Sequence, residues 1–158
     1  MTSGTFQYAL LAALAGLLIT AAVTDWRRRE IDNWLNLTIA CMAPLFWLAT
    51  GIEPWPGMAI QFGLGLLILG IFSIFLMLNA MGGGDVKLLA ALALWFAPVP
   101  FVRLLIEMSL FGGALTIIML IRQKALKLLG KPEIPYGIAI VFAGLLSIYE
   151  RYLNHFGQ

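Results

Sequence analysis

Charge is what this chain has least of. Only 11% of its 158 residues are Asp, Glu, Lys or Arg, against about 25% in soluble domains. With 61% hydrophobic residues and a mean hydropathy of +0.94, an ordinary soluble domain is excluded and a polytopic membrane protein is the natural class. Cysteine is nearly absent: Cys41 stands alone, which excludes a disulfide framework and a Cys-x-x-Cys zinc site. Histidine is represented only by His155, in a polar C-terminal stretch, so neither a metal centre nor a bound cofactor is expected. The formal net charge of +2 is too small to point to a nucleic-acid partner. The expected organisation is a single membrane-embedded domain over residues 1–158, with the lipid bilayer as its surroundings.

What the chain has in quantity is long apolar runs. About 20 apolar residues cross a bilayer as helix. Phe6–Thr24 meets that length, lacks a basic stretch before it and is followed directly by Arg27, Arg28 and Arg29; it reads as a retained span rather than a cleaved signal. Leu35–Thr50 comes next and is broken by Gly51-Ile52-Glu53-Pro54-Trp55-Pro56-Gly57. Met58–Leu78, a run from Val86 to the stop at Pro98-Val99-Pro100, Phe101–Ile121 and Ile134–Tyr152 complete the set. The expected fold class is all-α, a bundle of six transmembrane helices. Arg27–Arg29, Lys87 and the group Arg122, Lys124, Lys127 and Lys131 fall in connections on one side, while the other side holds only Arg103 and Arg151. The positive-inside rule places the cation-rich side in the cytoplasm and both termini outside. Gly63, Gly65 and Gly70 read as helix-packing positions, and Arg103 and Glu107, one turn apart, as a structural pair.

Against this background two acids stand out. Asp25 closes the first apolar run, and Asp85 closes the tetrad Gly82-Gly83-Gly84-Asp85. Ionisable groups beside membrane-length segments are costly and usually functional. Both fall at the cytoplasmic ends of their helices. From Val86 to Ala97 the fourth run has 12 residues, about 18 Å of helix against a hydrocarbon core of about 30 Å. Asp85 is therefore expected below the cytoplasmic surface, where irregular backbone must line a wet cavity or be buried in protein. The three glycines suit unusual dihedrals and close backbone approach. Each acid also has a plain explanation: Asp85 as a helix N-cap, Asp25 as a solvated helix end.

At these residues the chain resembles the prepilin peptidases, bacterial and archaeal intramembrane aspartic proteases of the GxGD type. Their first motif, an aspartate after helix one, basic residues and then Ile/Leu-Pro-Asn/Asp, is matched by Asp25-Trp26-Arg27-Arg28-Arg29-Glu30-Ile31-Asp32-Asn33. Asp32 stands where the family has proline. Their second motif, Gly-x-Gly-Asp-x-Lys-Leu-Leu-Ala-Ala, is matched by Gly82-Gly83-Gly84-Asp85-Val86-Lys87-Leu88-Leu89-Ala90-Ala91. A third feature, Pro-Tyr/Phe-Gly at the start of the last helix, is matched by Pro135-Tyr136-Gly137. With Cys41 alone, the chain resembles the short form that lacks the zinc-binding, methylation-associated domain.

The resemblance implies a prepilin leader peptidase of the bacterial or archaeal cytoplasmic membrane, acting on type IV prepilin or pilin-like precursors at the cytoplasmic face. It implies Asp25 and Asp85 as the catalytic pair, sharing one proton and activating a water. Gly82, Gly83, Gly84, Lys87, Pro135, Tyr136 and Gly137 are the implied supporting and substrate-binding residues. Lys87 reads equally as a positive-inside anchor, and Pro135-Tyr136-Gly137 as a helix-start turn. Two rivals are a carboxylate-dependent ion or proton transporter, for which no inverted repeat is visible, and a non-catalytic scaffold of a secretion system.

Overall fold

A computed structural model describes residues 2–125 and 136–150. Within these the chain is all-α, with six helices: α1 (Thr2–Arg28), α2 (Asn33–Thr50), α3 (Ala59–Met77), α4 (Gly83–Ala93), α5 (Pro98–Ala125) and α6 (Tyr136–Ile148). A wide turn over Pro54–Met58, with Trp55 extended (φ −135°, ψ 126°), leads into α3. Three stretches are long and apolar enough to cross a membrane: Gly4–Arg28, Pro54–Met77 and Pro98–Arg122. Their outward faces are apolar. Ile19, Leu66, Val102, Leu110 and Ile118 all stand exposed, as suits a lipid-facing surface.

The shortest helix occupies the centre. α2, α3 and α6 all pack on α4, α1 joins α2 to α6, and α5 packs along α6. Leu88, Leu89, Leu92 and Ala93 of α4 are fully buried, against Leu14 and Leu18 of α1, Leu35 and Ile39 of α2 and Ile140 of α6 in the same core. Gly65 lets α3 approach α4 closely, since a Cβ there would lie 2.5 Å from Leu94 Cδ2. Gly63 and Gly70 have open space beside them, so the packing role expected of three α3 glycines falls to Gly65.

A helix that ends inside an apolar bundle must have its last carbonyls satisfied by protein. The Leu94 carbonyl, just beyond α4, accepts from the Trp47 indole of α2 at 2.7 Å and from the Gln61 amide of α3 at 3.5 Å. Trp95 in turn donates its indole N–H to the Ile39 carbonyl at 2.9 Å. That carbonyl neighbours the one at Ala40, which Pro44 cannot bond for want of an N–H. α2 closes differently: Gly51 adopts the left-handed conformation (φ 70°, ψ 28°). The Gly51 and Ile52 amides return to the Leu48 and Trp47 carbonyls at 3.3 and 3.0 Å, the Schellman pattern.

Two boundaries differ from expectation. α4 begins at Gly83, not after Asp85, and stops at Ala93, not Ala97. Gly82, extended at φ −71° and ψ 146°, is the N-cap, so Asp85 falls inside the first turn. Pro98 and Pro100 do not simply stop a helix. They open α5, where the Phe101 amide bonds the Ala97 carbonyl at 3.0 Å, and prolines fit because first-turn amides have no intrahelical partner. At the far end of the bundle Arg103 bridges Glu107 (3.1 Å) and Glu150 (2.8 Å), tying α5 to the end of α6. The expected Arg103–Glu107 pair is thus present with a third member.

The α4 cap yields a stability prediction. Trp47→Phe leaves the buried Leu94 carbonyl with only the longer Gln61 contact and is expected to lower stability by about 1–3 kcal/mol. Thermal unfolding in detergent measures this.

Candidate active site

The site is built where α1 ends. The Arg29 amide closes the last turn on the Asp25 carbonyl at 2.9 Å. Arg29 then takes a left-handed φ of 57°, a conformation unfavourable for a side chain larger than glycine. That reversal sends residues 29–32 across the starts of α4 and α6. Ile31, only 7% exposed, is inserted between them. A Cβ at Gly84 would lie 3.0–3.2 Å from the Cβ, O and N of Ile31. A Cβ at Gly137 would lie 2.9 Å from Ile31 Cδ1 and 2.7 Å from Asp25 Oδ2.

Both aspartates are buried, Asp25 at 5% and Asp85 at 8% exposure. Asp25 Oδ2 accepts from the Ile138 amide at 3.2 Å and the carboxylate also from the Gly137 amide, placing it on the first described turn of α6. Asp85 is the third residue of α4 and accepts from the amide of its own N-cap, Gly82. Each carboxylate therefore faces amides at a helix start, where the backbone dipoles favour negative charge. The cap explanation and the paired-acid explanation describe one geometry, because both capped ends meet. Asp25, Arg29, Glu30, Ile31, Gly82, Gly83, Gly84 and Asp85 line one cavity of about 290 Å³, ample for several waters. The two carboxylates are close enough for their charges to interact.

The glycine tetrad works by absence of side chains rather than by unusual dihedrals. Among the described glycines only Gly51 has a positive φ. A Cβ at Gly82 would sit 3.1 Å from Asp85 Oδ2, tighter than an ordinary contact. Gly83 differs: its Cβ would meet only Leu76, at 3.7–3.8 Å, an ordinary contact. The two tight positions are those the Gly-x-Gly-Asp pattern fixes, and the tolerant one is its x.

Other expected residues fall elsewhere. Lys87 does not line the aspartate cavity; its Nζ donates to Asn33 Oδ1 at 2.7 Å. It borders a larger, apolar groove of about 420 Å³ with Asn33, Asn36, Phe62 and Leu66, which contains neither aspartate. Tyr136 lies against Gly112 of α5. Pro135, Lys127, Lys131 and His155 lie outside the described residues. Asp32 is not a third site acid. It pairs with Arg28 at 2.7 Å, and its φ of −62° is the value to which a proline ring is locked. Among the described residues no three His, Cys, Asp or Glu side chains gather as a metal-binding group. Sequence reasoning passed over Asn36, whose amide donates to the Gly84 carbonyl at 3.2 Å. It also gave no role to Ile31, although that residue stands in the first motif.

Membrane-length apolar helices, packed with two buried aspartates that share a cavity, define a multi-pass membrane protein. The chain belongs to the type IV leader peptidase family, whose model matches residues 12–118, more than half its length and inclusive of both aspartates. That membership makes it an aspartic-protease-type enzyme of the leader peptidase kind. No curated protein and no solved structure gives a significant match.

The contrast among the glycines is testable. Gly83→Ala is expected to leave thermal stability and cleavage near native. Gly84→Ala and Gly137→Ala overpack Ile31 and Asp25, lowering stability by about 1–3 kcal/mol and reducing cleavage, as read by unfolding curves and a peptidase assay.

Proposed function

We propose that the chain is a prepilin leader peptidase of the GxGD type, with Asp25 and Asp85 as its catalytic pair. The observation that carries the reading is that both acids line one small polar cavity in a chain of the type IV leader peptidase family. Two carboxylates at this proximity cannot readily both ionise, so they hold one proton between them. The ionised partner takes a proton from a water, which attacks the scissile carbonyl. The protonated partner hydrogen-bonds the carbonyl oxygen, stabilises the tetrahedral intermediate and then protonates the leaving amine. The shared proton titrates as a property of the pair.

In this reading the substrate is a type IV prepilin or pilin-like precursor. Its basic leader remains in the cytoplasm and its apolar segment lies in the membrane. The single domain lies in the membrane as a bundle of six helices, both termini outside. The 29–32 segment and the start of α4 face the cytoplasm. α4, with 11 residues and about 16 Å of rise, falls short of a full crossing, which sets Asp85 below the surface in a water-accessible cavity. Gly82, Gly83 and Gly84 line the cavity beside Asp85, where a substrate backbone would come near the carboxylate. Glu30, exposed at the cavity, adds negative charge that complements a basic leader. The transporter and scaffold readings draw no specific support from the site.

The test is co-expression with a prepilin precursor, leader removal being followed by mass spectrometry. The native chain is expected to cleave, and Asp25→Asn and Asp85→Asn are each expected to lose at least about a thousandfold in rate. Cleavage that persists in both variants overturns the assignment.

A further inference from the structure

We propose that Asn36 is a positioning residue for Asp85, holding the Gly84–Asp85 peptide by one amide hydrogen bond. The proposal rests on the peptidase reading above and extends it to a residue outside the carboxylate pair.

Asn36 lies on the inner face of α2, 5% exposed. Its Nδ2 donates to the Gly84 carbonyl across 48 positions of sequence, at 3.2 Å. A carbonyl can only accept, so the side chain must present its NH₂ group there. The other half of the carboxamide has nothing: Oδ1 is buried with no hydrogen-bond partner. Asn36 shares the lining of the larger groove with Asn33, Lys87, Leu37, Ala40 and Leu66. One hydrogen bond contributes about 1 kcal/mol, whereas an unpaired buried acceptor costs about 1–3 kcal/mol. Stability alone would therefore favour leucine, of similar size, at this place. What asparagine supplies is the location of Gly84.

That location is already fixed on one side. A Cβ at Gly84 would lie 3.0–3.2 Å from Ile31, tighter than an ordinary contact. Asn36 holds the carbonyl of the same residue, and one turn along, Lys87 reaches Asn33. Between these two attachments lie Asp85 and Val86, and the Asp85 carboxylate also faces the Gly82 amide. The Lys87 contact is exposed and weak. The Asn36 contact is buried and is the one that sets the peptide plane preceding Asp85. A shift of about 1 Å in a reacting group can cost up to about 100-fold in rate.

The purified full chain is assayed on a prepilin precursor beside Asn36→Leu and Asn36→Asp. Asn36→Leu is expected to unfold at or above the native temperature, with kcat reduced about 10- to 100-fold and KM within about twofold of native. In Asn36→Asp the carboxyl donates to Gly84 only when protonated, so the ratio of its kcat to the native kcat rises as pH falls. A merely structural role predicts lower stability for Asn36→Leu and a flat ratio for Asn36→Asp. Native kcat in Asn36→Leu, or a pH-independent ratio in Asn36→Asp, overturns the positioning role and leaves the peptidase reading intact. If Asn36→Leu does not fold, the Asn36→Asp ratio decides. A native chain that leaves the precursor uncut overturns the peptidase reading, and the positioning role falls with it.

Discussion

The close approach of backbone to Ile31 is the contact on which the rest of the site depends. Gly84 and Gly137 each lack the one atom that would collide with it or with the Asp25 carboxylate. Because they do, the starts of α4 and α6 close on the segment leaving α1. Asp25 reaches the amides of α6, and Asp85 comes to the same cavity. A side chain at either glycine separates the helix starts and with them the two acids. The left-handed Arg29 is the other half of the arrangement, since without that reversal Ile31 does not turn inward.

A short helix can hold a buried acid in an apolar bundle only if both its ends are satisfied. α4 meets this at its start with the Gly82 amide on Asp85 and the Asn36 amide on Gly84. At its end, Trp47 and Gln61 donate to the Leu94 carbonyl. α2 supplies Asn36 near one end and Trp47 near the other, so a single helix braces α4 along its length. Those polar contacts sit beside an apolar core that α4 shares with α1, α2 and α6. Dispersion and close packing hold the bundle, and the hydrogen bonds fix the register in which α4 sits.

Much of this was legible in the sequence. The apolar runs located six helices, and the end of the first run placed Asp25 correctly at the last turn of α1. The cysteine and histidine shortage turned attention from metal chemistry to carboxylates. Less legible was anything set by contact across the fold. Of the two roles the sequence suggests for Gly82 and Gly84, unusual dihedrals and close approach, the structure keeps the second: neither φ is positive, and the constraint is steric, set by Asp85 at Gly82 and by Ile31 at Gly84. Pro98 and Pro100 read as a stop because a proline disrupts a helix interior, but at the first turn the same ring is an opening. Asn36 carries no local signal at all, since an asparagine on an apolar helix gains meaning only from the carbonyl it meets. Lys87, two residues from Asp85, bonds Asn33 and borders the apolar groove, a placement compatible with the anchor reading that the sequence offers beside a substrate contact.

The central claim is that Asp25 and Asp85 face each other across one cavity around Ile31. Its most direct test replaces Cys41 with serine, introduces the pair Asp25→Cys and Asp85→Cys, and treats the membrane-embedded protein with a short bifunctional thiol reagent. A second pair, Asp25→Cys with Lys87→Cys, serves as control because Lys87 borders the apolar groove, which contains neither aspartate. The account predicts rapid intramolecular cross-linking of the first pair and little of the second. Failure of the first pair to link, or equal linking of both, contradicts it.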